Sequence, residues 1–175
     1  MDTLTAICSR ISTRAFTGEK IKDEDLEIII NAAKAAPVGR KKYETLRLTV
    51  IKDKKFLEKI SDFVDMKTPE RPEAPFYNAP ALIVVSTNLN SGEGIEYANA
   101  GCMIENMALA ARALGIASVY LWAFIGKMNK ELISALGLPE GYRPISSLAV
   151  GYPREPLRVF DKPQHDLTVN YINEK

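Results

Sequence analysis

Arg10, Ser12 and Arg14 lie within five residues of one another, in the segment Arg10-Ile11-Ser12-Thr13-Arg14-Ala15-Phe16. The planar guanidinium fork matches phosphate and carbonyl oxygens, and a serine hydroxyl adds a neutral donor. A spacing of four puts both arginines on one side of a helical turn, where they can converge on one anion. The same residues also describe a basic helix end with solvated side chains. The rest of the chain decides between the two.

Few other side chains offer chemistry. His165 is the only histidine among 175 residues, and no pattern beside it suggests a triad or a metal site. Cys8 and Cys102 are far apart, which makes neither a disulfide framework nor a zinc pattern. Cys102 falls in an apolar run and reads as core. Cys8 precedes Arg10 by two residues; a nearby cation can lower a thiol pKa, but helix packing is the expected role. There is no Walker-type phosphate loop. Gly92-Glu93-Gly94 carries Tyr97 where a dinucleotide fingerprint needs its third glycine, so it reads as a loop entering a helix.

The composition is that of an ordinary globular domain, 46% hydrophobic and 26% charged, with a formal net charge of +1. One domain over 1–175 is expected, with enough chain for a real core. No basic stripe interleaved with aromatics suggests nucleic acid. No uncharged apolar run is long enough to span a bilayer, and the Met-Asp start lacks a basic-then-apolar signal, so a cytoplasmic location is expected. Any anion site must therefore be local.

The elements that would position such a site follow from periodicity. A short helix over about 2–9 leads into the arginine cluster. Asp23 is a candidate cap for a second helix, with Glu24 and Asp25 in its first turn and Pro37 as its end. Leu46 to Lys52 alternates as a strand, and the charged stretch from Asp53 to about Phe63 reads as a surface helix. Met66 to Pro75 is loop. Ala81-Leu82-Ile83-Val84-Val85 is continuously apolar, which predicts a central strand covered on both faces. From Glu96 to Leu114 runs the strongest helix, with so little polar surface that one subunit can hardly cover it, and Gly115 stands as its stop. Strands over Ala117–Leu121 and Ile145–Val150 flank a short helix around Leu132, Ile133 and Leu136. The polar tail carries scattered apolar residues suited to wrapping a neighbouring surface. Helices and strands interleaved this way predict a sheet flanked by helices.

In order and spacing, five segments resemble the FMN-dependent nitroreductase family, in a compact branch. They are Arg10 to Phe16, Ala35-Ala36-Pro37-Val38-Gly39, Tyr77 to Ser86, Ala100-Gly101 through Leu114-Gly115-Ile116-Ala117-Ser118, and Leu148 to Pro153. The resemblance implies an α+β fold with a central, mostly antiparallel sheet, and a homodimer with two FMN sites at its interface. It implies that Arg10 meets the flavin phosphate, that Ser12 donates nearby, and that Arg14 approaches the ribityl chain or the pyrimidine edge. A cation there favours the reduced ring, which gains negative charge.

The family's second motif is Pro-Ser followed by Asn-x-Gln-Pro-Trp. Here Val38 replaces the serine, Lys41 and Tyr43 stand for the two amides, and Glu44-Thr45 replace Pro-Trp. The resemblance then leaves ring contacts to the backbone of Pro37, Val38 and Gly39, with Lys41 adding charge and Tyr43 beside it. Backbone amides at Leu121-Trp122-Ala123 would approach flavin N5. A late basic residue for the phosphate is Arg154 or Arg158.

The implied activity is an oxidoreductase in which NAD(P)H passes a hydride to FMN, departs, and is replaced by a small electron-poor acceptor such as a nitroaromatic or a quinone. Rivals are a reductive dehalogenase or flavin-fragmenting enzyme on the same fold, a flavin-binding or sensing protein without efficient turnover, and a cofactor-free structural domain.

Overall fold

The computed structural model describes residues 1–172. The chain runs α1 (Thr3–Ser9), α2 (Asp23–Lys34), β1 (Leu46–Ile51), α3 (Lys54–Val64), β2 (Ala81–Thr87), α4 (Ile95–Ala113), β3 (Ala117–Leu121), α5 (Lys130–Ser134) and β4 (Arg143–Gly151). The strands form one sheet in the order β1-β2-β4-β3, with every neighbouring pair antiparallel. This is the expected α+β architecture.

Hydrophobic period explains the layering. Along β2, Ile83 and Val85 point into one core with Leu148 and Val150 of β4, under α2 and α4. Leu82 and Val84 point into a second core with Ile60, Phe76, Val119 and Phe124, on the side of α3 and α5. Both faces of β2 are covered, so its sequence does not alternate. Phe76 and Phe124 meet edge to face, with ring centroids 5.1 Å apart, and close the second core.

Helix ends follow local chemistry. Asp2 caps α1, accepting from Thr5 N at 3.0 Å, and Asp53 caps α3, accepting from Lys55 N at 2.9 Å. The cap position of α2 is Lys22, and Asp23 is already helical. Its carboxylate accepts from Lys52 Nζ at 2.7 Å, which holds its pKa below the usual range and ties α2 to the end of β1. α2 stops at Lys34, and the chain turns at Ala35–Ala36 before it reaches Pro37. Gly115 follows α4 with φ 75°, the left-handed exit expected of it.

The expectation for Cys102 needs correcting. Its side chain is exposed, on a strip of α4 with Ala98, Gly101 and Glu105. Met103, Ile104, Met107 and Ala111 form the buried face instead. α4 thus carries small and apolar residues on its exposed side as well, and the chain covers only part of the helix.

Candidate functional site

Edge strand β3 organises the arginine segment. Ser12 forms a parallel bridge with Ser118, and Thr13 N donates to the Ser118 carbonyl at 2.9 Å. Further along, Phe16 N donates to Tyr77 O at 3.1 Å and Thr17 N to Tyr152 O at 2.9 Å. Phe16 is fully buried and fastens the segment to the body. Gly151 makes room for it: a Cβ there would lie 2.6 Å from Pro80 Cδ and 3.0 Å from Phe16 Cδ1. The segment is therefore a fixed rim along the sheet edge.

Arg10 caps the end of α1, and its Nε lies 3.3 Å from Glu105 Oε1 on α4. Ser12 and Arg14 are exposed, and Arg14 makes no ion pair among the described residues. Between them the Thr13 hydroxyl is buried without a hydrogen-bond partner among the described residues. Such an orphan is uncommon in a folded protein. Sequence reading passed over Thr13, because only the structure reveals that its hydroxyl is buried.

Leu121, Trp122 and Ala123 leave the other end of the same strand. At about 3.3 Å per residue, Ser118 and Trp122 are separated by about 13 Å along the edge. Trp122 is 58% exposed and shares with Ala123, Tyr97, Met128 and Arg143 an open pocket of about 420 Å³. Behind it, Glu96 is buried and accepts from Ser91 Oγ at 2.6 Å and from Arg143 Nη2 at 3.2 Å. The Ser91 hydrogen bond, helped by the Arg143 charge, holds the Glu96 carboxyl below the usual glutamate range. This pair anchors the entry of α4 to β4.

Pro37, Val38, Gly39, Lys41 and Tyr43 occupy a different flank. Gly39 N donates to Asn99 Oδ1 at 2.9 Å, and the Gly39 Cα rests on Ile95. Asn99 is a buried amide on α4, among the apolar residues Ile95, Ala98 and Ala100. Val38 is buried, Pro37 and Lys41 are exposed, and Tyr43 turns its hydroxyl onto Ala36 O at 3.1 Å. Tyr97 faces the Trp122 pocket while Asn99 faces this loop, and two helical residues are about 200° apart. One chain therefore brings the 10–14 and 121–123 groups onto one edge and holds the 37–43 group across α4 from them.

The two late arginines differ. Arg154 Nε donates to Phe16 O at 2.9 Å and its Nη2 pairs with Glu73 at 2.5 Å, so its guanidinium braces the arginine segment. Arg158 has an exposed side chain, while its carbonyl accepts from Arg112 Nη2 at 2.6 Å. Ser9 and Phe160 exchange two further hydrogen bonds, of 3.1 and 2.8 Å, which clip the start of the tail to α1. Arg112 was another residue sequence reading missed, a buried cation at the last turn of an apolar helix.

Chemically, the edge offers cations and hydroxyls at one end and exposed backbone with an aromatic side chain at the other. No group of three or more His, Cys, Asp or Glu side chains that could hold a metal occurs among the described residues. Among them, too, no helix is long and apolar enough to cross a membrane.

Known proteins resemble this chain over most of its length. The model of the nitroreductase family matches residues 7–152. A relative from Archaeoglobus fulgidus, provisionally named NADH dehydrogenase/NAD(P)H nitroreductase, is 31% identical over 159 residues, which cover 87% of this chain and 86% of the relative. A crystal structure of a nitroreductase with bound FMN from Desulfitobacterium hafniense matches with a TM-score of 0.81 at 28% identity, over 99% of this chain and 100% of the other. A second FMN-bound nitroreductase, from Bacteroides fragilis, gives 0.80 at 27% identity over 99% and 100%.

Proposed function

We propose, from the premise that this chain belongs to the nitroreductase family, that it is an NAD(P)H-dependent flavin oxidoreductase that uses FMN to reduce small electron-poor acceptors, nitroaromatics and quinones among them. The observation that carries the reading is the rim on β3, where the bridge from Ser12 to Ser118 holds Arg10, Ser12 and Arg14 along one sheet edge, with Ser12 and Arg14 exposed. The donor set fits FMN. A phosphate monoester carries about −1.5 to −2 charges and wants guanidinium and hydroxyl donors.

Bound FMN supplies hydride acceptance from a nicotinamide and its delivery to a second molecule that takes the nicotinamide's place. The protein's own residues do the rest. Arg10 and Ser12 bind the phosphate end. Arg14, free of a carboxylate partner among the described residues, sets a positive field toward the ring. The backbone at Leu121, Trp122 and Ala123 offers donors at the other end of the edge, and Trp122 shields one wall from water. Arg154 keeps the rim in place through Phe16 and Glu73 rather than touching the ligand, which leaves Arg158 as the late cation.

The ring contacts of Pro37, Val38, Gly39, Lys41 and Tyr43 then come from a second copy of the chain, because one chain holds that loop across α4. The exposed strip of Ala98, Gly101 and Cys102, together with exposed Leu4 and Ile7 on α1, supports a homodimer. Leu167, Val169 and Tyr171, all exposed on the tail, support a wrapping role for it. We take 1–175 as one domain of that dimer, located in the cytoplasm and without nucleic-acid or membrane partners.

The test is steady-state oxidation of NADH and NADPH by FMN-loaded protein with a quinone or a nitroaromatic added. Acceptor-dependent turnover with parallel double-reciprocal lines is expected. A flavin-loaded protein that oxidises neither nucleotide would instead be a binding or sensing protein.

A further inference from the structure

Between residues 34 and 47 the chain carries five cations, Lys34, Arg40, Lys41, Lys42 and Arg47. Two of them are engaged. Lys34 Nζ donates to Asn31 Oδ1 at 2.8 Å. Arg47 donates to the Glu44 and Leu46 carbonyls at 3.2 and 2.9 Å and stacks 5.0 Å above the Tyr142 ring. Arg40, Lys41 and Lys42 are exposed, and among the described residues none makes an ion pair. Glu44, the carboxylate nearest them in sequence, makes no ion pair among the described residues either. Lys41 belongs to the ring contacts proposed above. Arg40 and Lys42 have no assigned task.

The turn that carries them has an unusual backbone. Arg40 and Lys41 both have φ 55°, a left-handed conformation unusual for side chains other than glycine, asparagine and aspartate. The turn closes through Lys41 N to Val38 O at 2.9 Å. It is pinned at its start by Asn99 on Gly39 and at its end by Tyr43 on Ala36. The result is a fixed loop with consecutive cations at its exposed tip, beside the residues proposed above to contact the cofactor ring.

We propose that Arg40 and Lys42 bind the 2′-phosphate of NADPH and make this enzyme select NADPH over NADH. The inference rests on the flavoprotein reading above. A nicotinamide that reaches the ring leaves its adenosine end outside, where an exposed loop can meet it. The 2′-phosphate is the group that separates the two nucleotides, and it is a compact dianion suited to one guanidinium and one ammonium. Both cofactors carry the pyrophosphate, so a loop reading only that group would not discriminate. Screening by salt is strong at an exposed site, which makes the preference dependent on ionic strength.

The test uses FMN-loaded protein and the double variant Arg40→Ala/Lys42→Ala. Kinetics with each nucleotide at a fixed quinone concentration are combined with calorimetric titration of 2′,5′-ADP and of 5′-ADP. Wild type is expected to show a kcat/KM for NADPH at least tenfold above that for NADH. The variant should lose ten- to a hundredfold with NADPH, mostly in KM, and stay within twofold with NADH. It should also bind 2′,5′-ADP at least tenfold more weakly, with 5′-ADP unchanged. Equal use of both nucleotides by wild type, or an equal loss with both in the variant, overturns the inference and leaves the flavoprotein reading standing. A protein that takes up no FMN overturns both, and the FMN titration made beforehand reveals it.

Discussion

Replacing Arg10 by alanine separates a phosphate ligand from a solvated helix end. In the free protein its Nε lies 3.3 Å from Glu105 Oε1, with the two side chains 33% and 53% exposed. A pair so open to water contributes about 0.2–1 kcal/mol, so folding should change by less than about 1 kcal/mol. A charge-assisted contact to phosphate is larger, about 1.5–3 kcal/mol, which weakens FMN binding about ten- to 150-fold. Glu105 shapes the series further. With Arg10 gone, its carboxylate faces the phosphate unpaired, so Arg10→Ala should fall in the upper part of that range. Adding Glu105→Gln should restore about 0.2–1 kcal/mol, and Glu105→Gln alone should tighten FMN slightly by freeing Arg10. Fluorescence titration with FMN, alongside urea unfolding of the apoprotein, measures both terms. An Arg10→Ala protein that binds FMN within twofold of wild type would refute the assignment of the β3 rim as the phosphate site.

Arg14→Ala should leave oxidised-FMN affinity nearly unchanged while lowering the reduction potential and slowing hydride transfer; a redox titration that finds the wild-type potential contradicts its placement near the ring. Cys102→Asp, on the exposed strip of α4, should cost a dimer several kcal/mol by burying an unpaired charge, and sedimentation should then show monomer where wild type is dimeric. Glu96 has a folded pKa below its unfolded value, so its stabilising effect is complete above the ordinary glutamate pKa and disappears as pH falls through the lowered one. Glu96→Gln should accordingly flatten the loss of thermal stability on acidification, measured by melting temperature from pH 6 down to pH 3.

Much of the fold was legible because burial writes itself into period. The unbroken apolar run of β2 announced a strand covered on both faces, and α4 announced a helix that this chain leaves partly bare. The outward strip of α4 was harder. A residue such as Cys102, apolar for a surface that only another chain can cover, has the same sequence signature as core. Asp23 reads as the cap of α2, but the cap position falls one residue earlier, at Lys22, and the Asp23 carboxylate goes to Lys52, 29 residues away. The candidate site was legible as residue types along the β3 rim, because cations and hydroxyls cluster there in sequence. Its partners were not. Arg154 is occupied by Phe16 and Glu73, 138 and 81 residues distant, and the Asn99 hold on Gly39 spans 60. Such pairings depend on how layers stack, which local pattern does not encode.

The most direct test of the flavoprotein account is the visible spectrum of the purified protein during titration with FMN and then NADPH in the absence of oxygen. The account predicts a saturable oxidised-flavin band that bleaches on addition of the nucleotide and returns when a quinone is added. A protein that acquires no flavin band at any FMN concentration would contradict it.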